Sequence, residues 1–350
     1  MIGMSMLLWM GEQKRPLKVD RKTDLVMDSV INYYKDEKPR LAYDPKKLFL
    51  DNGAFTANMQ GIPLRAQRVM DVQEALMPDR TSPLDYPSKA GMSTLQMMKR
   101  WQKTRFNIVR WQDSTKLGKK LVPALHAWSK VSLEKNVKWL QRYANSDFIA
   151  LGSIVNSRFT EFGGFFGDRA PTRDLIDMLS LAIKCVEQNS DFRIHLMGFG
   201  SSPLMLHIGY YLGVASTDSS GYRRKAAYGK IILPGMGERY VGDSSATFGY
   251  QRNFFDGQRE PDLSMWEKCG CPICITNKDL IMTDWKARAI HNEFVMKEEA
   301  KVAQALTSVG LQAYETYLNN QVFANSSLKF IWEYAKLRRK YLRISEVLFR

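Results

Sequence analysis

The run Val214-Ala215-Ser216-Thr217-Asp218-Ser219-Ser220-Gly221-Tyr222-Arg223-Arg224-Lys225 leads from a short β-prone segment to a carboxylate, then to small hydroxylated residues, a glycine and three cations. A carboxylate at a strand's end, beside a flexible and positively charged loop, suits attack on an electrophile next to a phosphodiester backbone. A surface turn with a solvated charge run has the same composition, so the run takes its meaning from its surroundings. Five other positions share its setting, each at or just past the end of a strand-like run. Asp51 follows residues 47–50, and Asp85 lies between the prolines of Pro83-Leu84-Asp85-Tyr86-Pro87. His126 ends residues 121–126, Gly152 follows residues 148–151, and Met197 ends residues 193–197. Each alone could be a turn residue, but six in register argue for one common address.

A second constellation is Cys269-Gly270-Cys271-Pro272-Ile273-Cys274, with His291 after sixteen intervening residues. Three thiolates and one imidazole make a closed tetrahedral zinc shell with no open position for water, which is a structural role. Clustered cysteines in an otherwise cysteine-poor chain point to metal in a reducing cytoplasm rather than to a disulfide framework. The fourth cysteine, Cys185, falls on the apolar face of a predicted helix and reads as core packing.

The elements that must position these residues alternate. Strands are expected over residues 1–10, 47–50, 68–77, 121–126, 148–151, 193–197, 214–217 and 230–233. Helical spacing marks residues 24–34, 93–111, 133–143, 174–188, 203–212 and 285–305, while 159–170 is rich in Gly and Phe and reads as a loop. About eight short strands alternating with helices predict a (β/α)8 TIM barrel, whose sites gather at the C-terminal ends of the strands. The expected division is a catalytic barrel over residues 1–260, a zinc-binding subdomain over 261–310 and a basic helical segment over 311–350.

With 51 Lys+Arg against 36 Asp+Glu among 350 residues, the formal charge is +15, and 45% hydrophobic residues suffice for a sizeable core. That surplus favours a polyanionic partner, and the lack of any apolar run near 20 residues turns the expectation from membrane to nucleic acid. The run Lys329, Lys336, Arg338, Arg339, Lys340 and Arg343, on an amphipathic helix, is expected to grip a nucleic-acid backbone.

These motifs, in this order, resemble the tRNA-guanine transglycosylase superfamily over roughly residues 45–300. Asp51-Asn52-Gly53-Ala54-Phe55 is similar to its D-S-G-G-F/Y motif, and Pro83-Leu84-Asp85-Tyr86-Pro87 to the P-L-D-x-P of archaeosine-type members. His195-Leu196-Met197-Gly198-Phe199-Gly200 is similar to Y-L-M-G-V-G, and Leu212-Gly213-Val214 with Asp218 to L-G-V-x-x-x-D. The form Asp218-Ser219-Ser220-Gly221-Tyr222-Arg223-Arg224-Lys225 looks closest to the DpdA branch, DNA-guanine transglycosylases that place 7-deazaguanines in DNA in bacteria and phages. Three departures stand out. The family's V-x-P-T-R keeps only its arginine, at Arg224; a pocket glutamine is replaced by His126; and the spacing from Cys274 to His291 is shorter than in the bacterial tRNA enzymes.

The resemblance implies a transferase that exchanges guanine for a preQ0-type base through an aspartyl–C1′ intermediate. It makes Asp218 the nucleophile, Asp51 the second catalytic carboxylate and Asp85 the reader of the purine edge. Phe55 and Met197 would sandwich the base, while His126, Gly152, Ser153 and Gly198 complete the pocket. Arg223, Arg224 and Lys225 would meet the nucleic acid, and Cys269, Cys271, Cys274 and His291 the zinc. DNA is the expected partner with tRNA as the alternative, and a second copy or a helper protein is left open. Two other readings stay alive: a catalytically silent nucleic-acid-binding subunit and a retaining glycoside hydrolase.

Overall fold

The structure is a computed structural model that describes residues 7–14, 16–18, 20–88, 91–151, 157–159, 165–167, 172–235, 237–241, 264–322 and 329–342. In chain order the elements begin β1 (Leu7–Gly11), β2 (Asp20–Ser29), β3 (Asp44–Asp51), α1 (Ala54–Gln60), α2 (Ala66–Leu76) and β4 (Arg80–Thr81). There follow α3 (Thr94–Gln112), β5 (Ala124–Leu125), α4 (Lys130–Tyr143), β6 (Phe148–Leu151) and a short hairpin of β7 (Ser157–Phe159) and β8 (Phe165–Gly167). The next are α5 (Thr172–Asn189), β9 (Arg193–Leu196), α6 (Pro203–Leu212), β10 (Ser216–Ser219), α7 (Gly221–Ala227), β11 (Lys230–Leu233) and β12 (Gly237–Tyr240). The chain continues through α8 (Ser264–Glu267), α9 (Pro272–Asn277), α10 (Leu280–Thr283), α11 (Trp285–Val309), α12 (Leu311–Tyr317) and α13 (Lys329–Leu342).

Eight strands form one parallel sheet in the order β4-β3-β2-β1-β10-β9-β6-β5. Its two ends meet, because Thr81 forms a parallel bridge with Leu121 and accepts the N–H of Val122 at 2.8 Å. A flat sheet would hold β3 and β9, four strands apart, about 19 Å from each other. Instead the rings of Phe49 and His195 lie 4.9 Å apart, so the sheet curls into a barrel-like α/β fold. Trp9, Met27, Phe49, Val122, Phe148 and Ala150 fill its interior. At the end where the strands begin, Arg80 and Arg193 both stack on Phe148, at 5.0 and 4.1 Å, and both pair with Asp147. These side chains cover Phe148 at that end of the sheet.

Three expected elements differ. Residues 68–77 are helical within α2, because Val69, Val72, Gln73 and Leu76 share one buried face at helical spacing, although the valines suggest a strand. Residues 24–34 run as the end of β2 followed by a 3-10 turn; the unbroken apolar run Leu25-Val26-Met27 belongs to a parallel strand covered on both sides. β11 leaves the main sheet and pairs antiparallel with β12. So the sheet has the expected number of strands but a different membership, β2 and the two-residue β4 taking those places. Part of the loop expected over 159–170 belongs to the β7–β8 hairpin. Residues 1–6 of the expected first strand lie outside the described residues.

The C-terminal helices share the core. The largest apolar cluster runs from Leu8, Leu125 and Ile149 through α5 and α6 to Ala289 and Met296 of α11 and Trp332 of α13. Cys185 lies inside it, and burial raises its thiol to about 11. His207 of α6 is clamped between Glu299 Oε2 (2.6 Å) and Tyr314 Oη (2.7 Å), all three buried. No described helix is long and apolar enough to cross a membrane.

A buried ionic network locks the strand ends to these helices. Arg21 of β2 pairs with Glu12, with Asp24 at 2.9 Å and with Glu293 of α11 at 2.6 Å. Lys297 bridges Glu293 and Asp24 at 2.5 Å each, and Arg223 of α7 reaches the same Glu12. Removing the central cation takes away the one partner that these three buried carboxylates share and leaves only Lys297 and Arg223 at the edges to hold them, a loss of up to about 3–5 kcal/mol. Arg21→Ala is expected to lower the free energy of urea unfolding by that order, and Arg223→Ala by less.

Candidate active site and metal cluster

Alternation along the strands sets the site. Phe49 and Asp51 of β3 share a face, as do His195 and Met197 at the end of β9, and Ser216 and Asp218 of β10. The first of each pair lies within the sheet and the second at its C-terminal rim. Asp218 is anchored by Gly198, whose N–H donates to Oδ1 at 2.6 Å; Gly198 adopts φ +68°, a conformation side chains disfavour. Nε2 of the buried His195 lies 3.4 Å from the same Oδ1, and its Nδ1 lies 2.8 Å from Ser216 Oγ. Two groups therefore attend Oδ1.

Asp51 closes β3. Its Oδ2 accepts the N–H of Gly53 at 2.9 Å and a longer bond from Ser29 Oγ at 3.4 Å. Gly53 has φ +78°, and a Cβ there would come within 3.0 Å of the Ile31 backbone nitrogen. Burial pushes the Asp51 carboxyl up to about 7; the Gly53 bond opposes this, while the charges of Asp85 and Asp218 add to it. Thus the two other carboxylates of the rim are both felt at Asp51.

Asp85 is held from two sides. Asn52 Nδ2 donates to its Oδ1 at 3.1 Å, and Nε2 of the buried His126 is 2.8 Å from Oδ2. Asn52 also donates to Pro83 O at 2.7 Å, which fixes the proline-bounded loop to the end of β3. His126 makes a ring contact with Trp101 of α3 at 6.0 Å. The rim therefore holds three carboxylates, two imidazoles and a glycine N–H, a set able to offer a nucleophile, a proton carrier and a reader of hydrogen-bond donors.

The remaining expected residues are placed less uniformly. Met197 packs half-buried on the interior cluster, and Phe55 stands 59% exposed on the first turn of α1. Gly152 and Ser153 lie outside the described residues. Of the three cations after Asp218, Arg223 is turned inward onto Glu12 and Lys225 pairs with Glu238 at 2.6 Å, which leaves Arg224 exposed. The C-terminal run is also spent internally. Arg339 is buried on Tyr211, Arg338 pairs with Asp177 at 2.7 Å, and Lys336 pairs with Glu333 at 2.8 Å. Arg343 lies outside the described residues. Three of the five described cations of this run are thus engaged within the chain, and Lys329 and Lys340 stay exposed.

His195 and Asn52 are site residues that sequence reasoning leaves in the motifs without a role. For His195 the available signal is its spacing, two residues before Met197 on the same strand face. Asn52 gives none beyond its neighbour Asp51.

The ligand atoms of Cys269, Cys271, Cys274 and His291 all lie within 4.8 Å of one another. Each Sγ is 3.4–3.5 Å from His291 Nδ1, and Nε2 of that ring is 3.0 Å from the Ile232 carbonyl. With Nε2–H donating there, Nδ1 is left free to ligate, and the donor set fits a metal ion. Asn292 accepts the N–H of Ile232 at 2.6 Å, so the cluster's helix is stitched to β11 through both backbone groups of one residue.

Two outcomes follow. The folded Asp51 lies above its unfolded value near 4, so its ionisation costs stability that is absent below pH 4 and grows as pH rises to about 7. Asp51→Asn is therefore expected to stabilise the protein by roughly 1–4 kcal/mol at pH 8 and to be neutral near pH 4, as read from thermal unfolding at the two pH values. Cys271→Ser, or chelation of the wild type, is expected to remove bound metal and lower the unfolding midpoint by several degrees, checked by elemental analysis and calorimetry. No protein-family model and no curated protein matches this chain.

Proposed function

We propose that the chain is a base-exchange glycosyltransferase that replaces guanine in DNA with a 7-deazaguanine of the preQ0 type. The observation that carries this reading is the meeting of Asp51, Asp85 and Asp218 at one rim of a curled parallel sheet, with Asp51 raised to about 7 by burial and by the other two. We read the sheet as a (β/α)8 barrel, the metal cluster as structural zinc, and the quoted motifs as those of the transglycosylase superfamily.

Exchange with retention requires two displacements at C1′. Asp218 Oδ1 is occupied by Gly198 N–H and faces His195, so Oδ2 is the oxygen free to attack. As the Oδ2–C1′ bond forms, the C1′–N9 bond breaks, its electron pair goes to the departing guanine, and protonated Asp51 supplies the proton that guanine takes up. In the return step the incoming base loses its N9 proton to ionised Asp51 and attacks C1′, which expels the Asp218 carboxylate. A carboxyl near neutrality serves both directions. His195 is a positioning residue here: held through Nδ1 by Ser216, it presents Nε2 to the nucleophile's spectator oxygen. Asp85, fixed by Asn52 and His126, meets the donors on the purine edge. The guanine has to leave the stack to reach the rim, at a cost of a few kcal/mol. Zinc, held by three thiolates and His291, would supply folding stability and no step of the reaction.

Incubation with labelled guanine and either duplex DNA or tRNA tests the reading. Label is expected in DNA; Asp218→Ala abolishes it with metal content and folding intact, and His195→Phe slows it roughly 10- to 100-fold. Label in tRNA alone supports the tRNA enzyme, and label in neither supports a silent binding subunit. Retained exchange by Asp218→Ala overturns the mechanism.

A further inference from the structure

The chain's surplus charge is not spread evenly. Between Thr94 and Tyr143 there are twelve Lys+Arg against two acidic residues, Asp113 and Glu134, so ten of the fifteen surplus cations fall in one seventh of the sequence. That stretch is α3, the connection to β5, and α4. The two helices are neighbours on the outside of the sheet: Trp101 of α3 and Trp139 of α4 are in edge contact at 5.9 Å, and Arg105 of α3 lies 4.3 Å over the Trp139 ring.

Among the described residues none of these twelve cations pairs with a carboxylate. Those with contacts use rings and neutral oxygens instead, such as Lys103 on Tyr86, Arg142 on Tyr143 and Arg100 on the Pro87 carbonyl. Lys99, Lys103, Lys130, Lys135 and Lys138 are all exposed. Elsewhere the chain neutralises its cations, as Arg21, Arg223, Lys225 and Arg338 show. A face left this positive repels its own copy and attracts a polyanion.

Its position ties it to the rim. α3 follows the loop that holds Asp85, and α4 follows His126 after a capping turn at Ser129. Trp101 touches the His126 ring, so the face begins one side chain away from the candidate pocket. Single-stranded nucleic acid is bound in grooves with stacking rings, whereas these cations stand on two convex helices, a shape suited to the backbone of a duplex. α3 has 19 residues and spans about 28 Å, the length of roughly eight base pairs.

We propose that the outer face of α3 and α4 is the surface on which duplex DNA flanking the target nucleotide docks. The inference rests on the base-exchange reading for why a duplex is present, while its test reads binding alone. Affinity for a labelled random-sequence DNA duplex is measured across a salt series for the full chain, for Lys99→Gln/Lys103→Gln/Lys135→Gln/Lys138→Gln, and for the control Lys329→Gln/Lys340→Gln. The quadruple variant is expected to flatten the slope of log K against log salt by about 2 to 4 and weaken binding at least tenfold at moderate salt, since each lost phosphate contact removes about 0.9 from the slope. The control should leave the slope unchanged, and thermal unfolding should show both variants folded. An unchanged slope in the quadruple variant, a wild type that binds tRNA but not the duplex, or an equal loss in the control overturns the proposal. If the duplex binds as expected but no label enters it, the base-exchange reading fails and the surface stands; label entering DNA with an unaffected slope gives the reverse.

Discussion

One buried guanidinium ties the first two strands of the sheet to the long C-terminal helix. Arg21 reaches three carboxylates contributed by the turn after β1, by β2 and by α11. Its partner Glu12 also takes Arg223, five residues after Asp218. The helix that carries His291 therefore shares an ion network with the turn that follows the candidate nucleophile. Such networks are poor sources of net stability, because desolvation offsets most of the attraction, but they penalise any arrangement that separates the partners. The position of α7 relative to the metal cluster is thus set by a charge-matching requirement as well as by apolar packing, and Tyr222 adds a hydrogen bond from its hydroxyl to the Gly11 carbonyl at 3.0 Å.

The opposite principle governs the rim. There the charges are alike and are kept close, with Asp85 and Asp218 both raising Asp51. A fold selected for stability alone would separate them or supply a guanidinium, as it does for Glu12, Asp24 and Glu293 with Arg21. Instead each outer carboxylate takes a neutral donor, a glycine N–H for Asp218 and an amide for Asp85, with an imidazole nitrogen lying close to each. These donors orient the carboxylates without cancelling their influence on Asp51. The result is one proton-carrying group near neutrality between two fixed acceptors, a division of labour among like residues set by environment rather than by residue type.

Much of this is legible in the sequence. Strong helical periods in residues 93–111, 133–143 and 203–212 correspond to α3, α4 and α6, because long amphipathic or apolar runs leave few alternatives. The cysteine spacing and His291 come together as expected. The misread segments have physical reasons. β4 is two residues long and gives no periodic signal, so the valines of α2 took its place in the alternation. β2 is covered on both faces, which erases the two-residue alternation by which strands are recognised. At the site, strand-end carboxylates were visible as types and positions, whereas the contact of His195 with Asp218 depends on two neighbouring strands in register, and no sequence spacing encodes that.

Charge gave the least reliable guide when it was read as a local run. The three consecutive cations after Asp218 and the basic C-terminal helix looked like contacts for a polyanion, yet their side chains mostly answer internal needs. Runs of cations on elements that pack against the core meet buried carboxylates and carbonyls, and the fold consumes them. Cations on α3 and α4 are interspersed with Leu95, Met98, Phe106 and Val109, which makes the face look unremarkable residue by residue. The distinguishing quantity is the deficit of acids: the two helices carry nine cations against one carboxylate, Glu134, and among the described residues none of those cations pairs with a carboxylate. That deficit sits beside the rim that holds Asp85 and His126, so the unneutralised face and the cluster of rim side chains are carried by the same two strand-to-helix connections.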